Sequence, residues 1–117
     1  MPAVEYEKLA EARVGESSKN IRERVVRARQ VQEQRFQNSS SRNNSGMNRK
    51  ELETYTELAD SSRKILQQAM TKMGLSARAY DRILKVARTI ADLAGEQKID
   101  TPHVAEAIQY RNLDRPV

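Results

Sequence analysis

The sequence predicts an all-α domain, a bundle of four or five helices. Three observations carry that expectation. Apolar residues between Ser76 and Gly95 recur at the helix period. Ser, Asn and Thr start signals and Gly stop signals punctuate the chain at helix-length intervals. Four glycines, no Trp and an abundance of Ala, Arg and Glu suit helices throughout.

Residues 1–17 hold no sustained period. Pro2 and Gly15 bracket them, and Val4, Tyr6 and Leu9 are spaced for an extended segment packing on a neighbour. They read as a connector. Ser17 and Ser18 offer N-caps for a helix over 19–36, on which Ile21, Val25, Ala28 and Phe36 share a narrow apolar face. Arg22, Arg24, Arg27, Arg29 and Arg35 spread over the rest, so this helix should bridge, dock or contact an anion rather than bury itself. Residues 37–47, QNSSSRNNSGM, form a Ser/Asn tract that reads as a flexible loop too polar to pack.

Asn48, with Glu51 three positions later, is a capping-box variant that opens a short helix to Tyr55. Asp60 or Ser61 is placed to cap the next, which runs to Met73 and stops at Gly74. Its stripe is Ile65, Leu66, Ala69, Met70 and Met73, a core pattern. Ser76 caps a helix from Ala77 to Ala94, ended by Gly95. At about 100° per residue, Tyr80, Ile83, Leu84, Ala87, Ile90, Ala91 and Ala94 take one side. Arg78, Asp81, Arg82, Lys85, Arg88, Thr89 and Asp92 take the other. This is the expected central helix. Thr101 caps the last one, with Pro102 at its first position, and Val104, Ala107 and Ile108 face inward. Tyr110 and Leu113 are expected to pin the C-terminal segment, and His103 to serve as a surface or packing residue.

At 117 residues the chain is one domain's worth. No run of eighteen apolar residues offers a membrane span, and no signal peptide opens the chain. The absence of Cys excludes disulfides and thiolate metal sites and fits a cytoplasmic location; one His cannot anchor zinc. The net charge of +5 favours anionic partners, and residues 18–36 alone hold six Lys/Arg against two Glu. There is no GxxxxGK[ST] loop, GxSxG, HExxH or Cys-His pair, and the carboxylates read as surface pairing partners. The chain by itself is not expected to be an enzyme. Arg78 is the residue with a chemical argument. Unpaired N–H groups and the dipole at a helix start favour an anion, and a guanidinium there adds a bidentate fork for phosphate oxygens. On the residues alone, a solvated surface arginine stands beside that reading.

The run SARAYDRILKVARTIADLAG, followed by IDTPHVAEAIQYRNLDR, resembles the C-terminal domain of magnesium-chelatase-like AAA+ ATPases, in particular their competence-associated bacterial branch. PAVEYEKL is similar to the exit from that family's ATPase core, and GESSKNIRERVVRARQVQEQRF to its first lid helix. The resemblance covers nearly all of 1–117, interrupted by the Ser/Asn tract.

It implies an AAA+ C-terminal lid fold, with 1–17 a connector from an ATPase core outside this sequence and 18–117 the lid. Ser76-Ala77-Arg78 matches the family's Ser-x-Arg, which makes Arg78 the sensor-2 candidate for the ATP phosphates, with Arg82 one turn later as fallback. The resemblance further implies ATP with Mg bound by the full-length protein and none by the isolated chain. Partners would be the protein's own AAA+ core and neighbouring subunits of a hexamer, with DNA as the substrate of the whole. Two alternatives differ in class: an autonomous basic module binding nucleic acid through Arg22, Arg24, Arg27, Arg29 and Arg35, and the lid of a true porphyrin magnesium chelatase. With Phe36 the one aromatic nearby, base stacking along that helix is not expected.

Overall fold

The computed structural model describes residues 17–113, with side chains through Tyr110. Among the described residues five α-helices follow one another: α1 (Ser18–Arg35), α2 (Arg49–Tyr55), α3 (Asp60–Met73), α4 (Ala77–Leu93) and α5 (Thr101–Leu113). A single 3₁₀ turn, Asn44–Gly46, lies between α1 and α2. Among the described residues there is no strand. The connector, the extended segment near Val4 and the Leu113 side chain lie outside what is described.

Local chemistry sets most of the boundaries. The Ser17 hydroxyl accepts the Asn20 N–H at 3.2 Å, and the Ser76 hydroxyl accepts the Ala79 N–H at 3.2 Å. Each satisfies one of the donors that a helix start leaves over. The capping box forms in full: Asn48 Oδ1 accepts from the Glu51 N–H at 2.8 Å, and Glu51 Oε1 accepts from the Asn48 N–H at 3.0 Å. Gly74 (φ 63°) and Gly95 (φ 74°) end α3 and α4 in the left-handed region. At both, an N–H reaches back five residues, Leu75 to the Met70 carbonyl and Glu96 to that of Ala91. A residue with a Cβ would meet strain at either φ.

Two caps differ from expectation. Neither Asp60 nor Ser61 caps α3. Ala59 occupies that position without a side-chain bond, and Asp60 sits in the first turn, 3.5 Å from Arg63. Thr101 is the first residue of α5, and the Asp100 carbonyl accepts the His103 and Val104 N–H groups. The reason is competition for a hydroxyl. Ser62 of α3 is fully buried and needs a partner, and Thr101 supplies it at 2.8 Å. His103 Nδ1 accepts the Asp100 N–H at 2.9 Å, a local role.

The core is built around α4. Ala79, Ala87 and Ala91 are small enough to let neighbouring helices approach, while Ile83 and Leu84 supply bulk. Leu66 of α3, Ile99, and Val104, Ala107 and Ile108 of α5 close over them. Phe36, Met47, Leu52 and Leu58 extend the same cluster beneath α2, where Phe36 and Tyr55 meet edge to face at 5.8 Å. The segment that Tyr110 was expected to pin has no described side chains, and Tyr110 is the last residue whose side chain is described. It is 49% exposed and edges a shallow apolar groove with Ile21, Ile90 and Leu93.

The Ser/Asn tract is the clearest departure from expectation. It is not too polar to pack. Phe36 and Met47, both buried, anchor its two ends, and Ser41 and Asn44 between them are buried as well. Ser39 and Ser41 donate to the two oxygens of Glu51, and the Ser41 hydroxyl also lies 2.8 Å from the Gly46 carbonyl. The tract packs because nearly every inward polar atom finds a partner. Composition alone cannot show this.

That arrangement has a pH signature. The hydrogen bonds from Ser39, the Asn48 backbone and Ser41 hold the Glu51 carboxyl below its ordinary value of 4.5. A depressed carboxylate stabilises the fold fully above its unfolded value, and the contribution is lost as pH falls below about 4.5. Acidification should therefore release residues 39–41 first, seen as amide exchange at 39–47 rising below about pH 4.5. In Glu51→Gln that pH step should vanish.

Candidate functional site

The polar face of α4 divides into two parts with different fates. Its C-terminal half is not surface at all. Asp92, with a side chain 1% exposed, accepts two bonds from the Arg35 fork at 2.8 and 2.9 Å. It takes a third from Asn44 Nδ2 at 2.8 Å and a fourth from Arg88 Nε at 3.1 Å. Arg88, also buried, spends its other nitrogens on the Gln97 and Glu96 carbonyls at 2.8 and 2.7 Å. Those carbonyls belong to the turn between α4 and α5, so Arg88 closes that turn onto the helix.

Asn44 completes the hub. Its Oδ1 accepts from Arg35 at 2.8 Å, its Nδ2 also reaches Thr89 at 3.1 Å, and its backbone N–H donates to Gln32 at 3.0 Å. One carboxylate thus faces two guanidiniums. Burial draws the Arg88 guanidinium down from the usual arginine value, and Arg35's charge adds to this while Asp92 opposes it. The expectation that Arg88 and Asp92 belong to an exposed basic ridge is corrected here, as is that of carboxylates confined to surface pairs. The same holds for Arg35, expected to reach outward to nucleic acid or a neighbouring subunit. It lies inside the domain, its guanidinium bonded to Asp92 and Asn44 and 5.5 Å over the Tyr55 ring.

The N-terminal half of the face is open. Arg78 is the second residue of α4 and is exposed; Arg82 is exposed one turn on. Among the described residues neither has an ion-pair partner. The other charges nearby are committed. Asp81 is held by Arg49 of α2 through two bonds, Nη1 to Oδ1 at 3.2 Å and Nη2 to Oδ2 at 2.6 Å, and the Asp81 bond and charge raise the Arg49 guanidinium above its usual value. Lys85 donates to the Ser45 carbonyl at 3.2 Å. Ser76 accepts the Ala79 N–H, which leaves the first amides of α4 beside Arg78 pointing outward. Two guanidiniums about one turn apart, next to a helix start, form a site suited to an anion with several oxygens.

The arginines of α1 do not converge in this way. Arg22, Arg24, Arg27 and Arg29 are exposed. At 100° per residue, Arg22 and Arg29 share one flank while Arg24 and Arg27 lie about 160° away on the other. Between the flanks lie Glu23, Gln30 and Gln34, the last two lining a groove with Arg24 and Arg27 against the end of α4. Charge is plentiful on α1 but not aligned along one backbone track. Among the described residues no three His, Cys, Asp or Glu side chains gather to hold a metal ion, and no helix is long and apolar enough to cross a membrane.

Four residues of the buried hub, Arg35, Asn44, Arg88 and Asp92, were misjudged from sequence. A signal for them did exist. Arg88 and Asp92 sit four apart, each next to a buried alanine (Ala87, Ala91), and an apolar residue bounds the polar tract at each end.

The family model described as magnesium chelatase, subunit ChlI C-terminal, matches residues 15–111. The competence protein ComM of Haemophilus influenzae is 48% identical over 101 residues, 86% of this chain and 19% of that protein. Proteins named YifB from Escherichia coli and Salmonella typhimurium are 37% and 36% identical over the same shares. The chain spans about a fifth of the length of these relatives.

Proposed function

Because this chain belongs to the family of magnesium chelatase subunit ChlI C-terminal domains, we propose that it is the helical lid of an AAA+ ATPase and that Arg78 is its sensor for the nucleotide phosphates. The observation that carries this reading is the state of the α4 ridge. Arg78 stands exposed at the first turn without an acidic partner among the described residues, while Asp81 and Lys85 beside it are engaged elsewhere. A guanidinium in that position offers parallel donors, which fit phosphate oxygens. Arg82 follows on the same face and is the fallback. Bound ATP would supply the anionic oxygens and its own Mg; the lid residues would hold and orient the phosphate end. The intact protein is proposed to work through its own ATPase core and neighbouring subunits, with DNA as the substrate. The name of the Haemophilus relative, a competence protein, supports that substrate class.

The test is ATP hydrolysis by the intact protein with Arg78→Ala and, separately, Arg82→Ala. Losing a charged hydrogen bond to phosphate should lower kcat/KM about 10- to 100-fold in Arg78→Ala. The helical circular dichroism of this domain should be unchanged. Wild-type kinetics for Arg78→Ala together with a loss in Arg82→Ala would move the sensor one turn along α4. Wild-type kinetics in both would refute the reading.

A further inference from the structure

Building on the proposed role of Arg78, we propose that Arg49 is a positioning residue for it: by holding the Asp81 carboxylate, Arg49 keeps Arg78 free to meet phosphate. Asp81 is three residues beyond Arg78 and four before Lys85, the two spacings at which side chains on one helix meet. Left alone, this carboxylate would pair with Arg78 and place a negative charge beside the anion site. In the fold it does neither. The planar fork of Arg49, from the first turn of α2, takes both of its oxygens.

The placement of Arg49 is itself prepared. The Asn48–Glu51 capping box fixes the first turn of α2, so Arg49 leaves the helix at a set angle. The same box, with Ser39 and Ser41, occupies Glu51, while Glu53, one turn beyond Arg49, acts on it by charge and the Arg49 fork stays on Asp81. Arg49 is 65% exposed and Asp81 23%, so the pair adds little to stability. What it changes is the charge beside Arg78. An arginine held on a partly buried carboxylate for so small a gain in stability is explained by what the carboxylate would otherwise do.

The experiment has two arms. In the intact ATPase, Arg49→Ala should raise the KM for ATP about three- to tenfold, because an uncompensated carboxylate then stands one helical spacing, roughly 6 Å, from Arg78. Arg49→Ala with Asp81→Asn should restore the wild-type KM, since no carboxylate remains to be held. If Arg49→Ala leaves KM unchanged, or if the double variant is no better than Arg49→Ala, the proposal is overturned. The second of those outcomes would mean that Arg49 touches the nucleotide itself. The other arm uses this chain without nucleotide. The Arg78 Nε–Hε signal in ¹⁵N NMR should show free rotation in the wild type, hindered rotation in Arg49→Ala, and free rotation again in the double variant. Hindered rotation already present in the wild type would refute the proposal. The assignment of the sensor to Arg78 fails on Arg78→Ala kinetics alone, and the NMR arm does not depend on it.

Discussion

Asp92→Ala should cost the domain about 3–5 kcal/mol of unfolding free energy, among the largest effects available to a single substitution here. The carboxylate accepts from Arg35, Arg88 and Asn44 and is almost fully enclosed. Removing it leaves two guanidiniums in a poorly solvated interior with no counter-charge. Against a typical domain stability of about 5–15 kcal/mol, that loss should be plain in urea denaturation followed by circular dichroism. Asp92→Asn keeps one acceptor but loses the charge and should fall between. An Asp92→Ala midpoint within error of wild type would show that water or rearrangement satisfies both arginines. The account of the hub would then be wrong.

Asn44→Ala should cost about 2–4 kcal/mol, although it lies in a stretch whose composition reads as linker. The side chain is 1% exposed and makes three bonds, accepting from Arg35 and donating to Asp92 and Thr89. Alanine would remove all three and leave a polar void. A neighbouring change such as Asn43→Ala touches only Ser45 and the Gly46 N–H near the surface and should cost much less. Because Asn44 and Asp92 share partners, the double variant should be less destabilised than the two losses added together. Equal melting curves for Asn44→Ala and Asn43→Ala would sink this prediction.

The helices were legible because their signals are local. A serine or asparagine cap, a glycine stop and the period of Ile83, Leu84, Ala87 and Ala91 act within a few residues of where they stand. The exposed part of the α4 ridge was legible for the same reason, since position in the first turn places Arg78 without reference to the rest of the chain. The hub was not. Arg35 and Asp92 are 57 positions apart, and each reads as a surface charge until the other is set beside it. The Ser/Asn tract failed for a related cause: its polarity was counted as a cost of burial, yet the partners that offset the cost come from α1, α2 and α4. Thr101 was misassigned because its hydroxyl answers to Ser62 across the core rather than to its own helix.

The four residues of the hub have a consequence for how such a domain can change by descent. Arg35, Asn44, Arg88 and Asp92 each complete the bonding of at least one of the others, so none can be replaced without stranding a charge or a donor. Single steps away from the set pass through a state that is costly to occupy, while a concerted exchange for well-packed apolar residues could be neutral or better. In a lineage, then, these positions should be inherited as a block: fixed together for long periods, and exchanged together when they change at all.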